Sequence, residues 1–227
     1  MLNQVHCSEH DQEYYSVFQI PGLSVDFYQY NKSQCISSDT QILCNVVFNY
    51  LLSHQVSNIL DMGTGNGILL LMLAKDYPDL RYVGIEIINE LKELAIMNFI
   101  QLSNLFKKQF NYSIIQDNYA QINFQNEKFD LIVSNPPYYK KNSGRLSPFH
   151  EKNISRFEIE ATQSDLLVSV KNNLASDGTA FVLYPVTRQN EIIETCKKLK
   201  LNCQINKDLF SRLGSHDRIS IFELSHA

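Results

Sequence analysis

Long apolar runs, paired cysteines and clusters of metal ligands are all missing from this sequence of 227 residues. Its longest apolar runs, such as residues 68–74, stop far short of the roughly 20 apolar residues that span a bilayer. The first 13 residues have no cationic stretch followed by an apolar one, which is the pattern of an export signal. We therefore expect a protein of the cytoplasm with no transmembrane helix.

The five cysteines form no C-x-x-C pair, and the six histidines are scattered without the spacing of zinc ligands. An odd number of cysteines also argues against a disulfide framework. The sequence therefore predicts no metal site, and it gives no sign of an obligate protein partner.

Charge is modest, because charged residues make up 19% of the chain and the formal net charge is −4. This charge is a poor match to a protein that coats nucleic acid without specificity. One stretch differs, since residues 138–156 contain five basic residues and one acidic residue, a local charge of about +4. The basic residues are Lys140, Lys141, Arg145, Lys152 and Arg156, and the acidic residue is Glu151.

Glycine and proline are also sparse, with 8 and 6 residues, so each one marks a turn or a boundary. Residues 1–38 alternate loosely between apolar and polar side chains, which predicts a short hairpin or lid as an N-terminal segment. Residues 39–227 form the predicted main domain. It begins with a helix over residues 39–53, because apolar side chains there recur on one helical face.

Strands, turns and helices then follow one another, which is typical of a Rossmann-like α/β fold with helices on both faces of a mostly parallel sheet. We predict six or seven strands, with an antiparallel hairpin at the C-terminal end. The predicted strands are 57–62, 81–87, 112–116, 129–134 and 179–184, with hairpin strands 202–206 and 219–224. The predicted helices are 65–75 and 89–105, one whose apolar face ends at Leu174 before an Asp177-Gly178 turn, and one containing Ile192 and Cys196.

The first motif is I-L-D-M-G-T-G-N-G at residues 59–67, where a strand leads into a glycine turn and then a helix. Glycines allow a ligand to approach the backbone closely, and a helix start offers free N–H groups. The spacing G-x-G-x-G departs from the dinucleotide pattern at its third glycine. Asp61 would repel a pyrophosphate, but it suits a nucleoside that carries an ammonium group and no phosphate, such as S-adenosylmethionine.

Two further polar positions follow the next strands. Glu86 ends the second strand, where a carboxylate can accept hydrogen bonds from both ribose hydroxyls of a nucleoside. A carboxylate that only caps the strand end is the alternative interpretation. Asp117 ends the third strand, where it could accept from an adenine amino group, although Asp117-Asn118 also fits a simple turn.

The second motif is Asn135-Pro136-Pro137-Tyr138, directly after a buried strand. Two prolines fix the backbone and remove two N–H donors, so carbonyl oxygens remain as the exposed polar groups. The Asn135 Oδ1 atom and the Pro136 carbonyl can together accept both hydrogens of an NH₂ group, which aims the nitrogen lone pair at a methyl donor. Tyr138 would stack on a planar base, a contact worth ~1–3 kcal/mol. The motif therefore predicts methylation of a planar amino group.

With these two motifs the chain resembles the class I S-adenosylmethionine-dependent methyltransferases. It is most similar to the tRNA adenine-N6 methyltransferases that modify the adenine beside the anticodon of valine tRNA. The resemblance includes Asp26-Phe27-Tyr28-Gln29-Tyr30, Ser38-Asp39-Thr40, D-x-G-T-G-N-G, S-N-P-P-Y-Y and Arg156-Phe157-Glu158, and it covers the chain from about residue 24.

The resemblance implies tRNA as partner and S-adenosylmethionine as cofactor, and it implies roles for individual residues. Asn135, Pro136, Pro137 and Tyr138 would hold the target base. The cofactor would be bound by Asp39, Thr40, Asp61, Gly63, Thr64, Gly65, Glu86, Ile87, Asp117, Asn118 and Asn135. Lys140, Lys141, Arg145 and Arg156 would contact RNA.

Other functions share these motifs. The release-factor glutamine methyltransferases also contain Asn-Pro-Pro-Tyr, but they carry a larger N-terminal helical domain, for which we expect too little room here. DNA adenine methyltransferases are a further alternative, as is a scaffold without activity, because fold alone does not decide function.

Overall fold

Helices and strands alternate along most of the chain. The computed structural model describes residues 15–20, 23, 26–31, 38–125, 127–140, 147–148, 153–154, 158–206 and 219–227. The strands are β1 Tyr15–Gln19, β2 Asp26–Tyr30, β3 Asn58–Met62, β4 Arg81–Glu86, β5 Asn111–Gln116, β6 Phe129–Ser134, β7 Leu174–Pro185, β8 Leu201–Asn206 and β9 Ile219–His226. The helices are α1 Ser38–Leu51, α2 Ile68–Asp76, α3 Asn89–Phe106, α4 Gln163–Asn173 and α5 Gln189–Leu199, with a 3₁₀ turn Val186–Arg188 before α5.

Seven strands form one sheet in the order β5-β4-β3-β6-β7-β9-β8. The pairs from β5 to β7 are parallel, whereas β9 pairs antiparallel with both β7 and β8. The predicted fold class and the C-terminal hairpin are therefore confirmed. Strand order reverses between β3 and β6, and in open α/β sheets ligands bind at such a switch point, outside the carboxyl ends of the strands.

Apolar side chains on both faces hold the central strands in place. β3 and β6 are almost entirely buried because helices cover both faces of the sheet, and their sequences are accordingly near-continuous apolar runs. One core includes Leu70 and Phe99, and the other includes Leu167 and Phe222. None of the helices in the described ranges is long and apolar enough to cross a membrane.

A separate two-stranded hairpin lies within the N-terminal segment. β1 and β2 pair antiparallel, with Tyr15 opposite Tyr30. Tyr30 packs with Ile88 and Leu91 at the start of α3. The hairpin therefore packs against the start of α3, the helix that follows β4. The domain division at residue 38 stays a prediction.

Some of the predicted boundaries are wrong. Leu174 begins β7 instead of ending a helix, and Asp177-Gly178 lies inside that strand, where the pairing with β6 shifts register. A Cβ on Gly178 would approach the Phe129 carbonyl oxygen to 2.9 Å, so this glycine permits close contact between backbones. The first helix after the glycine turn begins at Ile68, not at residue 65, because the glycines adopt left-handed backbone angles.

Candidate functional site

The two sequence motifs meet at the switch point of the sheet. β3 and β6 are parallel neighbours, with Asp61 opposite Val133. Just beyond this pair, the Ser134 hydroxyl donates a 2.7 Å hydrogen bond to the Met62 carbonyl. Gly63 and Asn135 follow these two residues, so the glycine turn and the Asn-Pro-Pro-Tyr motif leave the sheet side by side.

The glycine turn is hydrogen-bonded to β4 on one side and borders open space on the other. The amides of Gly63 and Thr64 both donate to the Ile85 carbonyl at 2.9 Å, which fixes the turn on β4. Gly63 and Gly65 have φ angles of 84° and 58°, a region that side chains disfavour. A Cβ on either glycine would meet no atom within 4 Å. The turn therefore borders open space that side chains would otherwise fill.

Glu86 connects the glycine turn to the loop before α3. Its Oε2 atom accepts from the Gly65 amide at 2.8 Å, and its Oε1 atom accepts from the Ile88 amide at 2.9 Å. Burial raises the pKa of this carboxyl group, and the backbone hydrogen bonds partly offset that rise. Each carboxylate oxygen has a second lone pair, so Glu86 can cap the strand and still accept from ligand hydroxyls.

Asp61 is buried behind the turn, with 3% of its surface exposed. Burial raises its pKa to about 7, the adjacent Thr64 side chain partly offsets this rise, and the neighbouring Glu86 charge adds to it. An isolated buried carboxylate is costly unless a cation or hydrogen-bond donors compensate it. The site therefore favours a positively charged ligand group near Asp61.

The end of β5 borders the same site. The Asp117 amide donates to the Glu86 carbonyl at 3.2 Å, which brings the half-buried Asp117 next to β4. The Asn118 side chain accepts from the Ala120 amide at 2.9 Å and donates to the Glu160 carbonyl at 2.9 Å. Asn118 thus stabilises the turn, which is the alternative that the sequence left open for this pair.

The remaining predicted cofactor residues are Thr64, in the glycine turn, and Ile87, directly after Glu86. Thr64 is buried within the glycine turn. Ile87 is half-buried and packs with the hairpin cluster that contains Tyr30 and Leu91. The hairpin is therefore in contact with the segment that directly follows Glu86.

Asn135 is held by hydrogen bonds to two side chains. Its Nδ2 atom donates to the Thr40 hydroxyl at 3.1 Å, and its Oδ1 atom accepts from the Tyr138 hydroxyl. That hydroxyl also lies 3.2 Å from Asp39 Oδ2. Pro136 is buried and Pro137 half-buried between these contacts. Asp39 and Thr40, which the resemblance implies for the cofactor, thus contact the Asn-Pro-Pro-Tyr motif from the start of α1.

Tyr138 has a structural role that the sequence did not indicate. Its ring packs against both apolar cores and lies 6.4 Å from the Tyr184 ring. Burial raises the pKa of its hydroxyl well above the ordinary value, and Asp39 adds to this effect. The hydroxyl therefore stays protonated and orients Asn135, while stacking on a base stays a prediction.

Sequence reasoning missed a buried amide network beside the glycine turn. Asn98 is fully buried, and its side chain accepts from the Tyr28 amide at 2.7 Å and donates to the Tyr28 carbonyl at 3.0 Å. It also donates to the Asn66 carbonyl at 2.9 Å. The available signal was a polar residue in the apolar stripe of α3. Asn98 joins the hairpin to the turn.

The basic stretch is only partly described. Lys140 Nζ lies 3.1 Å from Glu191 Oε2, although 61% of the Lys140 side chain is exposed. Lys141, Arg145 and Arg156 lie outside the described residues. Where the structure describes the chain, no three His, Cys, Asp or Glu side chains cluster as they would around a metal ion.

Comparison with known proteins shows the family to which the chain belongs. Residues 53–223 match the family described as "Methyltransferase domain". The chain belongs to this methyltransferase-domain family. The resemblance to methyltransferases is thereby confirmed.

Curated relatives of this methyltransferase-domain chain include two proteins named "tRNA1(Val) (adenine(37)-N6)-methyltransferase". The one from Shewanella frigidimarina is 31% identical over 179 residues, which is 76% of this chain and 68% of the relative. The one from Pedobacter heparinus is 29% identical over 144 residues, which is 63% of this chain and 58% of the relative. The chain therefore spans about three fifths of some relatives that it matches.

Among solved structures, a TehB-like SAM-dependent methyltransferase from Corynebacterium glutamicum superposes with a TM-score of 0.54. Its sequence is 16% identical, and the match covers 86% of this chain and 90% of that one. At this identity the likeness concerns the fold, and it agrees with the Rossmann-like sheet described above.

Proposed function

We propose that this protein transfers a methyl group from S-adenosylmethionine to the exocyclic amino group of an adenine in tRNA. The observation that carries the proposal is the hydrogen bond between Ser134 and Met62, which joins the start of the glycine turn to the start of the amine-acceptor motif. A donor held over the turn and an amine held by the motif would lie next to each other. Such positioning is a main source of rate enhancement in a direct transfer.

The residues around the glycine turn fit this cofactor. The open space above Gly63 and Gly65 suits a ligand that lies on the backbone. Asp61 would pair with the ammonium group, which compensates its buried charge. Glu86 would accept from the ribose hydroxyls with its remaining lone pairs, and Asp117 from the adenine amino group. The bound cofactor supplies an electrophilic methyl group on a sulfonium.

The amine-acceptor motif would orient the nucleophile. Asn135 Oδ1 keeps a lone pair beyond the one that Tyr138 uses, and the Pro136 carbonyl has no competing N–H beside it. Accepting both amino hydrogens turns the nitrogen lone pair out of conjugation with the ring. With the amine held by Asn135 and the Pro136 carbonyl, the cofactor would supply its methyl group to the nitrogen and leave as S-adenosylhomocysteine, and the nitrogen would lose one proton to water.

The substrate class depends on the relatives and on charge. Both named relatives are enzymes of tRNA, and the local charge of about +4 after Tyr138 suits a phosphate backbone. With tRNA as substrate, the site of action is the cytoplasm. Methylation of a protein glutamine is the competing outcome, since its amide is also a planar NH₂ group.

The test compares the two substrate classes directly. Full-length protein is incubated with S-adenosylmethionine labelled in its methyl group, together with total tRNA and a peptide-release factor in separate reactions. We expect label in tRNA that digests to N6-methyladenosine, and none with Asn135→Ala. Label in the release factor without label in tRNA would overturn the choice of substrate.

A further inference from the structure

A buried arginine lies behind the amine-acceptor motif. Arg188 ends the 3₁₀ turn after β7, and only 8% of its side chain is exposed. Its Nε and Nη2 atoms donate to the two oxygens of Glu191, at 3.2 and 3.0 Å. Its Nη1 atom donates to Glu158 Oε1 and lies 3.3 Å from the Tyr138 carbonyl oxygen. One guanidinium therefore connects three separate parts of the chain.

The partners of Arg188 are themselves held. Glu158 Oε1 also accepts from the Gln163 amide at the start of α4, at 2.9 Å, and the Glu158 amide donates to the Tyr139 carbonyl at 2.8 Å. The Arg188 guanidinium also lies over the Tyr184 ring, with Cζ 5.1 Å from its centroid. The arginine consequently has little freedom to move without disturbing its neighbours.

Stability alone does not explain why Arg188 is buried together with charged partners. Partial burial favours protonation of Glu191, but hydrogen bonds from Arg188 and Lys140 outweigh it and lower its pKa. Buried ion pairs contribute little net stability, and apolar residues of similar volume often replace them without loss. What a fixed guanidinium fork does add is geometry, because its donors point in set directions.

The Asn-Pro-Pro-Tyr backbone needs hydrogen bonds from residues outside the motif. Pro136 and Pro137 have no N–H, so the backbone of the motif cannot be anchored through its own amides at these two positions. Ser134 anchors the strand just before the motif through Met62. Arg188 supplies the matching anchor at the last residue of the motif, through the Tyr138 carbonyl.

We propose that Arg188 is a positioning residue that sets the orientation of the Asn135–Tyr138 backbone, with Glu158 and Glu191 as its anchors. The inference rests on the proposed function, because the backbone in question is the acceptor for the amine. The contacts that Arg188 makes within the described residues are with protein groups behind the motif. Its loss should therefore reduce turnover and leave cofactor binding intact.

The test uses Arg188→Lys, which keeps the charge but cannot bond three partners in the same directions. The matched control is Arg81→Lys. Arg81 also pairs with a glutamate, Glu127, and lies over the aromatic ring of Phe129. Arg81 lies at the opposite end of the parallel strands. We expect kcat on tRNA to fall roughly 10- to 100-fold in the first variant only. Cofactor affinity and binding stoichiometry, measured by calorimetry, should stay at the wild-type level in both.

A second variant tests whether misfolding, rather than loss of positioning, explains the lower kcat. Arg188→Met combined with Glu158→Gln and Glu191→Gln removes the charges together, so no buried charge is left unpaired. We expect it to bind cofactor with full stoichiometry and to keep the low kcat. A wild-type kcat in either Arg188 variant would overturn the positioning role.

Amide hydrogen exchange separates this inference from the proposed function. If the wild-type protein methylates no tRNA, the proposed function fails, but the positioning role of Arg188 can still be judged. Exchange at the amides of residues 138–140 should be faster in Arg188→Lys than in Arg81→Lys. Equal exchange in the two variants would overturn the inference whatever the substrate.

Discussion

The two ends of the β3 and β6 pair differ in how their polar groups are satisfied. At the amino end, Asp130 Oδ2 accepts from the amides of Ser57 and Asn58 at 2.7 and 3.3 Å, and Asn58 Oδ1 accepts from the Asp130 amide at 2.7 Å. At the carboxyl end, Asp61 is buried and its pKa is raised to about 7. The same two strands are thus locked in register at one end and keep an undercompensated carboxyl group at the other.

This difference shows where stability is given up for binding capacity. Hydrogen bonds that satisfy each other, as at Asn58 and Asp130, leave little for a ligand to add. A carboxylate such as Asp61 destabilises the ligand-free fold when it ionises, and it gains from a cationic ligand. Variants at the two ends should therefore differ in the property that they change, stability or ligand binding, as well as in the size of the effect.

The largest effect is expected for Asn135→Ala at the carboxyl end. Loss of one acceptor for the amine should lower kcat on tRNA by roughly 100-fold or more, as for other groups that act mainly on the transition state. Cofactor affinity should change little, because Asn135 is proposed to hold the amine. Steady-state kinetics and calorimetry measure both quantities. A parallel loss of cofactor binding would assign Asn135 to the donor instead.

Asp61→Asn should change stability with a distinctive pH dependence. In the ligand-free protein the raised pKa means that the folded state keeps a proton that the unfolded state releases between about pH 4 and 7, so the free energy of unfolding falls as pH rises through that window. The variant has no such pH-dependent fall. At pH 8 it should be more stable than the wild type by ~1–4 kcal/mol, and the difference should shrink towards pH 4.

Urea unfolding at several pH values measures this effect. Parallel pH curves for Asp61→Asn and the wild type would contradict it. The same variant should bind S-adenosylmethionine more weakly at pH 8, so stability and affinity are expected to change in opposite directions.

Asp130→Ala tests the amino end. Two backbone amides lose their acceptor at a site that water reaches, which should lower the free energy of unfolding by ~0.5–1.5 kcal/mol. The kcat of the folded fraction should remain at the wild-type level, because Asp130 lies at the other end of the strand. A large fall in kcat at full cofactor stoichiometry would show that the two ends are coupled.

The smallest effect is expected for Lys140→Ala with Lys141→Ala. Lys140 is exposed and paired with Glu191, so stability should change by less than ~0.5 kcal/mol. Binding of tRNA should weaken, and the slope of log affinity against log salt should become shallower by about one unit for each phosphate that is no longer neutralised. An unchanged slope would exclude these lysines as RNA-binding residues.

Local sequence patterns were sufficient for most of the fold. The apolar run of β6 and the alternation in β8 specify strands, because buried and exposed positions there follow the sequence pattern. The irregular pairing at Gly178 could not be predicted in this way, because it depends on the approach of Phe129 from another strand. A turn and a bulge have the same local composition.

By itself, then, the sequence determined the fold class and the glycine turn, and it predicts the chemistry of the Asn-Pro-Pro-Tyr motif, since these depend on residue types at short spacing. Only the tertiary structure decided which side chains orient that motif. Asp39 and Thr40 reach it from about 95 residues away in sequence, as the 3.1 Å hydrogen bond between Thr40 and Asn135 shows. Arg188 reaches it from 50 residues on the other side. Such pairings leave no local pattern, because strand order, not sequence spacing, brings the partners together.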